Sequence, residues 1–285
     1  MEVLTSENVR HAVQAALAED IGSGDATTQA TIPAESTARA VMVAREPLFV
    51  CGLALAEAVF RELAPEMKLQ RLLDDGKRAD KGTVLLRAQG STRALLTAER
   101  VALNFVQRLS GIATLTAQFV EAIRDTRAKI LDTRKTTPGL RHFEKYAVAC
   151  GGGANHRTGL YDQILIKDNH LVALKDALPN AVAAAILKAR EQFPHLEVEV
   201  EVDTLEQATQ ALEAGADIIL LDNMAPALLR QAVALIGGKA RTEASGGVTL
   251  QNVSAIAKTG VDYISIGALT HSARSVDIAL DFEHD

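Results

Sequence analysis

Apolar and polar positions in the first part of the chain follow both helical and strand periods. Apolar residues recur at helical spacing from Val9 to Leu17, which predicts a helix capped by Ser6 that runs to about Asp20. The glycine-broken stretch DIGSGDATT is expected to form a loop. Strand patterns follow at residues 39–46, 67–73 and 83–90, and a helix is expected at 52–63. Because strands and helices do not alternate regularly, we predict an α+β domain.

Helical periodicity then continues over residues 91–126. Gly111 lies in the middle of this stretch, so we expect it to divide two helices and to mark a domain boundary.

From Lys129 onward, short β-rich runs alternate with amphipathic helical stretches. The runs are AKILD, QILIK, LEVEVEV, DIILLD, ARTEAS and DYISIG, and the last four begin near residues 197, 217, 240 and 262. A βα repeat of roughly twenty residues predicts a parallel sheet whose consecutive strands are joined by right-handed crossovers. We therefore favour a closed or nearly closed α/β barrel over an open sheet, with six strands recognisable after residue 128.

The composition limits the class of protein. Of the 285 residues 48% are apolar, so a large buried core is feasible, and the net charge of −6 argues against a general nucleic-acid binder. Cys51 and Cys150 are the only cysteines, and their wide separation indicates a reducing compartment without a disulfide framework. Neither a signal-peptide pattern nor a membrane-spanning apolar run is evident, so we expect a cytoplasmic protein.

Every predicted strand after residue 128 ends in charged, polar or glycine residues. In α/β barrels the chemistry lies at the carboxyl ends of the strands, so six such ends in succession predict a functional site there. The residues concerned are Asp132, Arg134, Lys135, Lys167, Asp168, Glu201, Asp203, Asp222, Asn223, Glu243, Ser245, Gly246, Gly247 and Gly267.

Basic residues outnumber acidic ones in the first part of the predicted barrel. Residues 132–170 contain six cations and four acids, a net +2, which leaves −8 for the remainder. The turns ASGGVTL and SIGALTHS offer main-chain N–H groups suited to a phosphate, with a helix expected to open after each glycine. Glu201 and Asp222 suit ribose hydroxyls or a magnesium ion. The pattern predicts a ligand with anionic groups at one side, a sugar in the middle and a phosphate at the other end.

Each feature also has a structural interpretation. Arg134 and Lys135 alone are compatible with a solvated loop, and Lys167 with a stem lying along apolar surface. His156 and His170 fit hydrogen bonding or packing better than metal binding. Glu201 continues the alternation begun by the glutamates at 197 and 199, which fits a polar strand face; inside a barrel that face would need buried partners.

At these residues the chain resembles a known family. DTRKTTPGLR, CGGGANHRTGLYD, ILIKDNH, EVEVDTLEQ, DIILLDNM, EASGGV and YISIGALTHS resemble successive motifs of the quinolinate phosphoribosyltransferase family. EDIGSGDATT and ERVALNFVQRLSGIAT resemble its N-terminal domain. The resemblance covers nearly the full chain. It implies an α/β sandwich domain (1–110), an incomplete α/β barrel of the seven-stranded type (111–270) and a C-terminal segment (271–285) that returns to the sandwich domain.

The resemblance also implies an activity. Family members join quinolinate to phosphoribosyl pyrophosphate with Mg²⁺ and produce nicotinate mononucleotide, pyrophosphate and carbon dioxide in de novo NAD synthesis. Their active sites are shared within a homodimer, and a hexamer is left open.

The site residues implied by the resemblance fall into four groups. Arg100 would bind quinolinate in the neighbouring subunit, and Arg134, Lys135, His156, Arg157 and Lys167 would bind it in their own. The phosphoribosyl pyrophosphate ligands would be Lys135, Lys167, Glu201, Asp222, Ser245, Gly246, Gly247, Gly267 and His271. Lys135, Lys167, Glu201 and Asp222 would be catalytic, and Glu201 and Asp222 would also hold the metal, directly or through water. Thr158 departs from the larger apolar residue expected there.

Three other functions fit the sequence less well. A paralogue acting on another acidic aromatic compound would not need all the basic residues that are implied to bind quinolinate, which include Arg100. A phosphate-ligand sensor would not need Glu201 and Asp222 beside lysines. A sugar-phosphate isomerase would need fewer cations and a clear general base.

Overall fold

In the computed structural model, which describes residues 4–283, helices and strands follow one another closely in the predicted order. In chain order they are α1 (Ser6–Ile21), α2 (Ala26–Thr31), β1 (Thr37–Ala44), β2 (Leu48–Phe49), α3 (Leu53–Leu63), β3 (Lys68–Arg71), β4 (Arg78–Ala79), β5 (Val84–Ser91), α4 (Thr92–Ala122), β6 (Lys129–Leu131), α5 (Arg141–Cys150), β7 (Ile164–Ile166), α6 (Asp168–Ala173), α7 (Ala181–Gln192), β8 (Val198–Val202), α8 (Leu205–Glu213), β9 (Ile218–Asp222), α9 (Pro226–Ile236), β10 (Arg241–Ser245), α10 (Val253–Ala257), β11 (Tyr263–Ser265), α11 (Ala268–His271) and β12 (Ile278–Phe282). No helix within residues 4–283 is both long and apolar enough to cross a membrane.

One compact unit contains the described chain as far as Ala117, the segment Thr137–Gly152 and the chain from Leu269 onward. Its antiparallel sheet has the strand order β12-β1-β5-β3, and β2 pairs with β4. Because β12 pairs with β1, the C-terminal segment is part of this unit. Alternate residues of β1 and β5 meet apolar side chains of α1, α3 and α4 in one core, whose largest members include Phe60, Met42 and Leu95.

The other unit contains Gln118–Thr136 and Gly153–Ala268. Its six strands are parallel and have the order β6-β11-β10-β9-β8-β7. All six strands predicted after residue 128 are confirmed. The predicted α/β class with an incomplete barrel is also confirmed, although the described residues form six strands where the seven-stranded type was expected. A single parallel bridge, between Leu131 and Ala154, lies beside the edge strand β6.

Two local predictions near the N-terminus were wrong. The cap of α1 is Thr5 rather than Ser6, because the Thr5 side chain accepts a hydrogen bond from the Asn8 main-chain N–H. The predicted loop DIGSGDATT is only partly a loop. Asp25 accepts the Thr28 N–H and thereby begins the short helix α2 at Ala26.

The predicted break at Gly111 was also wrong, since α4 is continuous from Thr92 to Ala122. A Cβ atom built on Gly111 would lie 2.0 Å from the Arg274 main-chain oxygen. The missing side chain therefore serves a close approach between two backbones rather than a break in the helix. The boundary predicted at residue 110 lies inside this helix, and the first unit continues to Ala117.

We expect Gly111→Ala to destabilise the protein, although alanine is intrinsically the better helix former by about 1 kcal/mol. The clash with the Arg274 carbonyl should outweigh that gain and lower the free energy of unfolding by about 2 kcal/mol, as overpacking does elsewhere. Denaturant unfolding measures the change. The control is Ala117→Gly on the same helix, which should cost about 1 kcal/mol through propensity alone. A Gly111→Ala variant more stable than the parent would contradict this explanation.

Candidate active site at the carboxyl edge of the parallel sheet

Most of the predicted site residues belong to the six-stranded unit. Because its strands are parallel, the residues that follow them share one edge of the sheet. This unit contains Arg134, Lys135, His156, Arg157, Lys167, Glu201, Asp222, Ser245, Gly246, Gly247 and Gly267. Arg100 is exposed on α4, and Arg100 and His271 belong to the other unit. Arg141 and Lys145 on α5 also belong to the other unit, although both were counted among the six cations of residues 132–170.

Two guanidinium groups are close together at this edge. Within residues 4–283 the Arg134 Nε atom is buried and has no hydrogen-bond partner. Arg157 is half-buried, and its Nη1 donates to the Gln163 main-chain oxygen at 3.3 Å. Burial and then the nearby Arg134 charge lower the pKa of Arg157, although Glu199 and Asp162 oppose the shift. Two cations in this arrangement form a site for a ligand with more than one negative charge.

The segment that carries Arg157 is held by a buried carboxylate at the end of β6. Asp132 accepts a hydrogen bond from the Asn155 side chain at 2.7 Å and another from the His156 main-chain N–H at 2.8 Å. The bridge between Leu131 and Ala154 precedes these contacts. Asp162 then accepts the N–H groups of the next two residues, Thr158 and Gly159. Side-chain hydrogen bonds therefore fix the main chain from Asn155 to Gly159.

A histidine and two glutamates lie buried inside the sheet below this edge. His156 Nε2 is 3.0 Å from Glu199 Oε2 and 3.7 Å from Glu243 Oε2, and the two carboxylates are 0% and 1% exposed. Burial, and then the neighbouring Glu199, raise the pKa of Glu243 to about 8, while His156 opposes the shift. The expectation that an inward face of β8 needs buried partners is thus confirmed for Glu199, which also accepts the Gln163 amide at 3.0 Å.

The predicted acids Glu201 and Asp222 end two neighbouring strands. Burial raises the pKa of Glu201, the Asp222 carboxylate raises it further, and the Lys167 ammonium lowers it. Lys167, Glu201 and Asp222 are therefore close enough for the charges of Lys167 and Asp222 to act on Glu201. Two half-buried carboxylates fit Mg²⁺, which typically takes one or two protein carboxylates and completes its shell with water and substrate oxygens.

The glycine turn after β10 has a structural requirement of its own. A Cβ atom on Gly246 would lie 2.1 Å from the Asn223 side-chain oxygen, and Asn223 itself has a φ of 52°. Gly247, by contrast, faces open space. The predicted helix does not begin at these glycines but at Val253, because the Asn252 side chain first closes a turn onto Gly247 and Thr249.

The sequence interpretation missed the roles of four residues that hold the site, namely Asp132, Gln163, Glu199 and Glu243. In the sequence, Asp132 and Glu243 stand out only as residues at the ends of strands, and Glu199 only as one member of an alternating strand. The signal for Glu199 was its place between two glutamates in a barrel strand, but no sequence signal linked it to Gln163.

The two cysteines, 99 positions apart in sequence, meet in the first unit. Their sulfur atoms and an Asp75 carboxylate oxygen lie within 4.8 Å of one another, and both cysteines are thiols. Burial raises the pKa of Cys51. The hydrogen bond between the two cysteines lowers the pKa of Cys150.

Comparison with known proteins is consistent along the whole chain. Models of the N-terminal and C-terminal domains of quinolinate phosphoribosyl transferase match residues 25–110 and 112–281. A probable nicotinate-nucleotide pyrophosphorylase [carboxylating] of Bacillus subtilis is 46% identical over 264 residues, covering 92% of this chain and 89% of the relative. The nicotinate-nucleotide pyrophosphorylase [carboxylating] of Mycobacterium leprae is 46% identical over 278 residues, covering 95% and 96%.

Solved structures agree with these sequence relatives. NadC from Streptococcus pyogenes has a TM-score of 0.94 at 43% identity, with 100% of each chain covered. The nicotinate-nucleotide pyrophosphorylase from Francisella tularensis has a TM-score of 0.93 at 39% identity, covering 99% of this chain and 98% of that one.

Proposed function

This chain belongs to the quinolinate phosphoribosyltransferase family, and we propose that it performs the reaction of its relatives at the carboxyl edge of the parallel sheet. It joins quinolinate to phosphoribosyl pyrophosphate and releases nicotinate mononucleotide, pyrophosphate and carbon dioxide in de novo NAD synthesis. The observation that carries the proposal is the pair formed by Arg134 and Arg157. Arg134 has a buried Nε without a hydrogen-bond partner, and the pKa of Arg157 is lowered by burial and then by the Arg134 charge.

Quinolinate fits this pair because its two carboxylates stand on adjacent ring carbons. A guanidinium binds a carboxylate through two parallel hydrogen bonds, so each arginine can take one carboxylate. Both positive charges would then be offset by the dianion, which removes the mutual repulsion of the empty site. His156, which lies in the same segment, is also proposed as a quinolinate ligand.

Phosphoribosyl pyrophosphate would extend from the cations toward the last strands of the sheet. Lys135 and Lys167 are exposed at the ends of β6 and β7, where they would meet both the pyrophosphate and a quinolinate carboxylate. Glu201 and Asp222 would contact the ribose hydroxyls. The 5′-phosphate would bind at the turns of Ser245, Gly246, Gly247 and Gly267.

The first chemical step breaks the bond between the anomeric carbon and pyrophosphate. Positive charge develops on the ribose ring, and carboxylates placed beside the sugar stabilise it. Lys135 and Lys167 stabilise the departing pyrophosphate. The pyridine nitrogen then forms the new bond to the anomeric carbon, so no covalent enzyme nucleophile is needed, and neither Cys150 nor Ser245 is given that role.

The second step is loss of the carboxylate next to the ring nitrogen. Once that nitrogen carries the ribose it is cationic, so it accepts the electron pair left behind when carbon dioxide departs. A proton from solvent then replaces the carboxylate on the ring carbon.

We assign Mg²⁺ to Glu201 and Asp222, directly or through water. The pKa of Glu201 is raised by burial and then by the Asp222 carboxylate, which supports a short distance between the two acids. When bound, the ion would offset the negative charge of the pyrophosphate.

We also propose a homodimer in which Arg100 of one copy completes the site of the other. Arg100 is exposed on α4, so its side chain is accessible to a partner. A cytoplasmic location is proposed as well, because both cysteines are thiols.

The test is to incubate the purified protein with quinolinate, phosphoribosyl pyrophosphate and Mg²⁺ and to measure carbon dioxide and nicotinate mononucleotide together. Equal amounts of the two products are expected, with none when the metal is removed by a chelator. Binding of both substrates without turnover would favour a sensor. Turnover only with a different acidic aromatic would favour a paralogue.

Arg157→Ala should raise the KM for quinolinate about 30-fold, equivalent to roughly 2 kcal/mol for a lost charged hydrogen-bond pair. The KM for phosphoribosyl pyrophosphate should change less than about threefold, because the proposed ligands of that substrate are other residues. Steady-state kinetics with each substrate varied in turn measures both. Arg127→Ala is the matched control, since Arg127 contacts the Gly260 carbonyl and precedes β6 rather than following it. Equal losses for both substrates would contradict the assignment.

Mixing two impaired variants tests the shared site. With quinolinate far below the parental KM, Arg100→Ala and Arg157→Ala, refolded or co-expressed together, should regain about a quarter of the parental activity, since half of randomly paired dimers would contain one intact site. Each variant paired with itself should keep only the low activity of an impaired site under the same conditions. Failure of the mixture to exceed the separate variants would overturn the shared site while leaving the reaction itself untouched.

A further inference from the structure

Arg157 is held at two separate points. Its main-chain N–H donates to His156 Nδ1 at 2.7 Å, and its guanidinium Nη1 donates to the Gln163 main-chain oxygen at 3.3 Å. The first contact positions the backbone of Arg157 and the second directs the end of its side chain. Both partners are themselves only partly exposed.

These two supports converge on one oxygen atom. Glu199 Oε2 lies 3.0 Å from His156 Nε2, and it accepts the Gln163 side-chain N–H at 3.0 Å. The four residues therefore form a closed hydrogen-bonded ring, Arg157–His156–Glu199–Gln163–Arg157. Glu199 is 0% exposed in the middle of β8, where its backbone pairs with β7 and β9, so the ring is tied to the rigid part of the sheet.

The geometry also assigns the proton on His156. Because Nδ1 accepts a main-chain N–H, it carries no proton itself, so the proton of the neutral ring lies on Nε2 and points to Glu199. Both ring nitrogens are thereby engaged by the protein, and the His156 side chain is only 8% exposed.

We propose that Glu199 is a positioning residue for Arg157, acting through His156 and Gln163. His156 thereby supports the arginine in addition to its place in the proposed quinolinate site. The inference rests on the proposed function, because it concerns the arginine that would bind a quinolinate carboxylate. The four hydrogen bonds of the ring join residues 156–199, whereas the proposed phosphate turns follow β10 and β11, so the effect should fall mainly on quinolinate.

The kinetic test compares two substitutions of the same carboxylate. Glu199→Leu removes the acceptor for both supports and should raise the KM for quinolinate at least tenfold, while the KM for phosphoribosyl pyrophosphate stays within about twofold. Glu199→Gln keeps one oxygen that can accept both N–H groups, so it should stay within about threefold of the parent for both substrates. The matched control is Glu197→Leu, since Glu197 directly precedes the same strand but is exposed and paired with Arg241.

A spectroscopic test needs no substrate. Nitrogen-15 spectra of the histidine rings should show His156 as the neutral Nε2–H tautomer in the parent and in Glu199→Gln, and altered in Glu199→Leu. The resonance is assigned by its disappearance in His156→Asn. A parent ring protonated on Nδ1 would overturn the proposal. So would a Glu199→Gln variant as impaired as Glu199→Leu, or equal losses for both substrates.

If Glu199→Leu does not fold, Gln163→Leu breaks only one support and leaves the buried carboxylate in place. It should raise the KM for quinolinate about threefold with no change for the second substrate, and an unchanged quinolinate KM would overturn the proposal. A parent without turnover would refute the proposed function, while the tautomer in the unliganded protein would still test the ring.

Discussion

The parallel register of six strands is the constraint on which the candidate site depends. Ser245 pairs with Asp222 across β10 and β9, and Leu220 of β9 pairs with both Glu201 and Glu243. Register therefore sets the acid proposed for the ribose directly beside the turn proposed for the phosphate. A shift of one residue would turn every side chain of a strand to the opposite face and disperse the set. The order of ligand groups along the edge thus follows from strand order, not from the loops alone.

An acidic protein can present cations at this edge because several of the nearby carboxylates are engaged by other groups. Asp132 at the end of β6 and Glu199 within β8 are buried and accept hydrogen bonds from neighbouring side-chain and main-chain N–H groups. Burial and the neighbouring Glu199 raise the pKa of Glu243 and so favour its neutral form, which limits the negative charge near the cations. The interior therefore supports Arg157 without pairing its guanidinium directly with a carboxylate in the ring, and that charge would stay available to a dicarboxylate.

Patterns local in sequence predicted most of the fold, because strand and helix periods are properties of neighbouring residues. All six parallel strands and the long helical stretch were recognised in this way. Features that depend on distant partners were not. Gly111 resembles a helix break until the Arg274 carbonyl is placed against it. Likewise, Cys51 and Cys150 show no relation in sequence, and the link from Gln163 to Glu199 joins residues 36 positions apart. The motifs indicated which residues gather at the edge, but not which of them support the others.

His156 shows why a motif does not settle a role. Read along the chain, the adjacent His156 and Arg157 both qualify as ligands of an anion. An imidazole has two nitrogens, however, and one accepts from the Arg157 backbone while the other faces Glu199. An arginine held in this way loses less side-chain freedom when it binds a carboxylate, so more of the interaction energy is retained as affinity. Precise placement of one guanidinium thus requires a buried acid, an amide and a histidine that need not touch the substrate themselves.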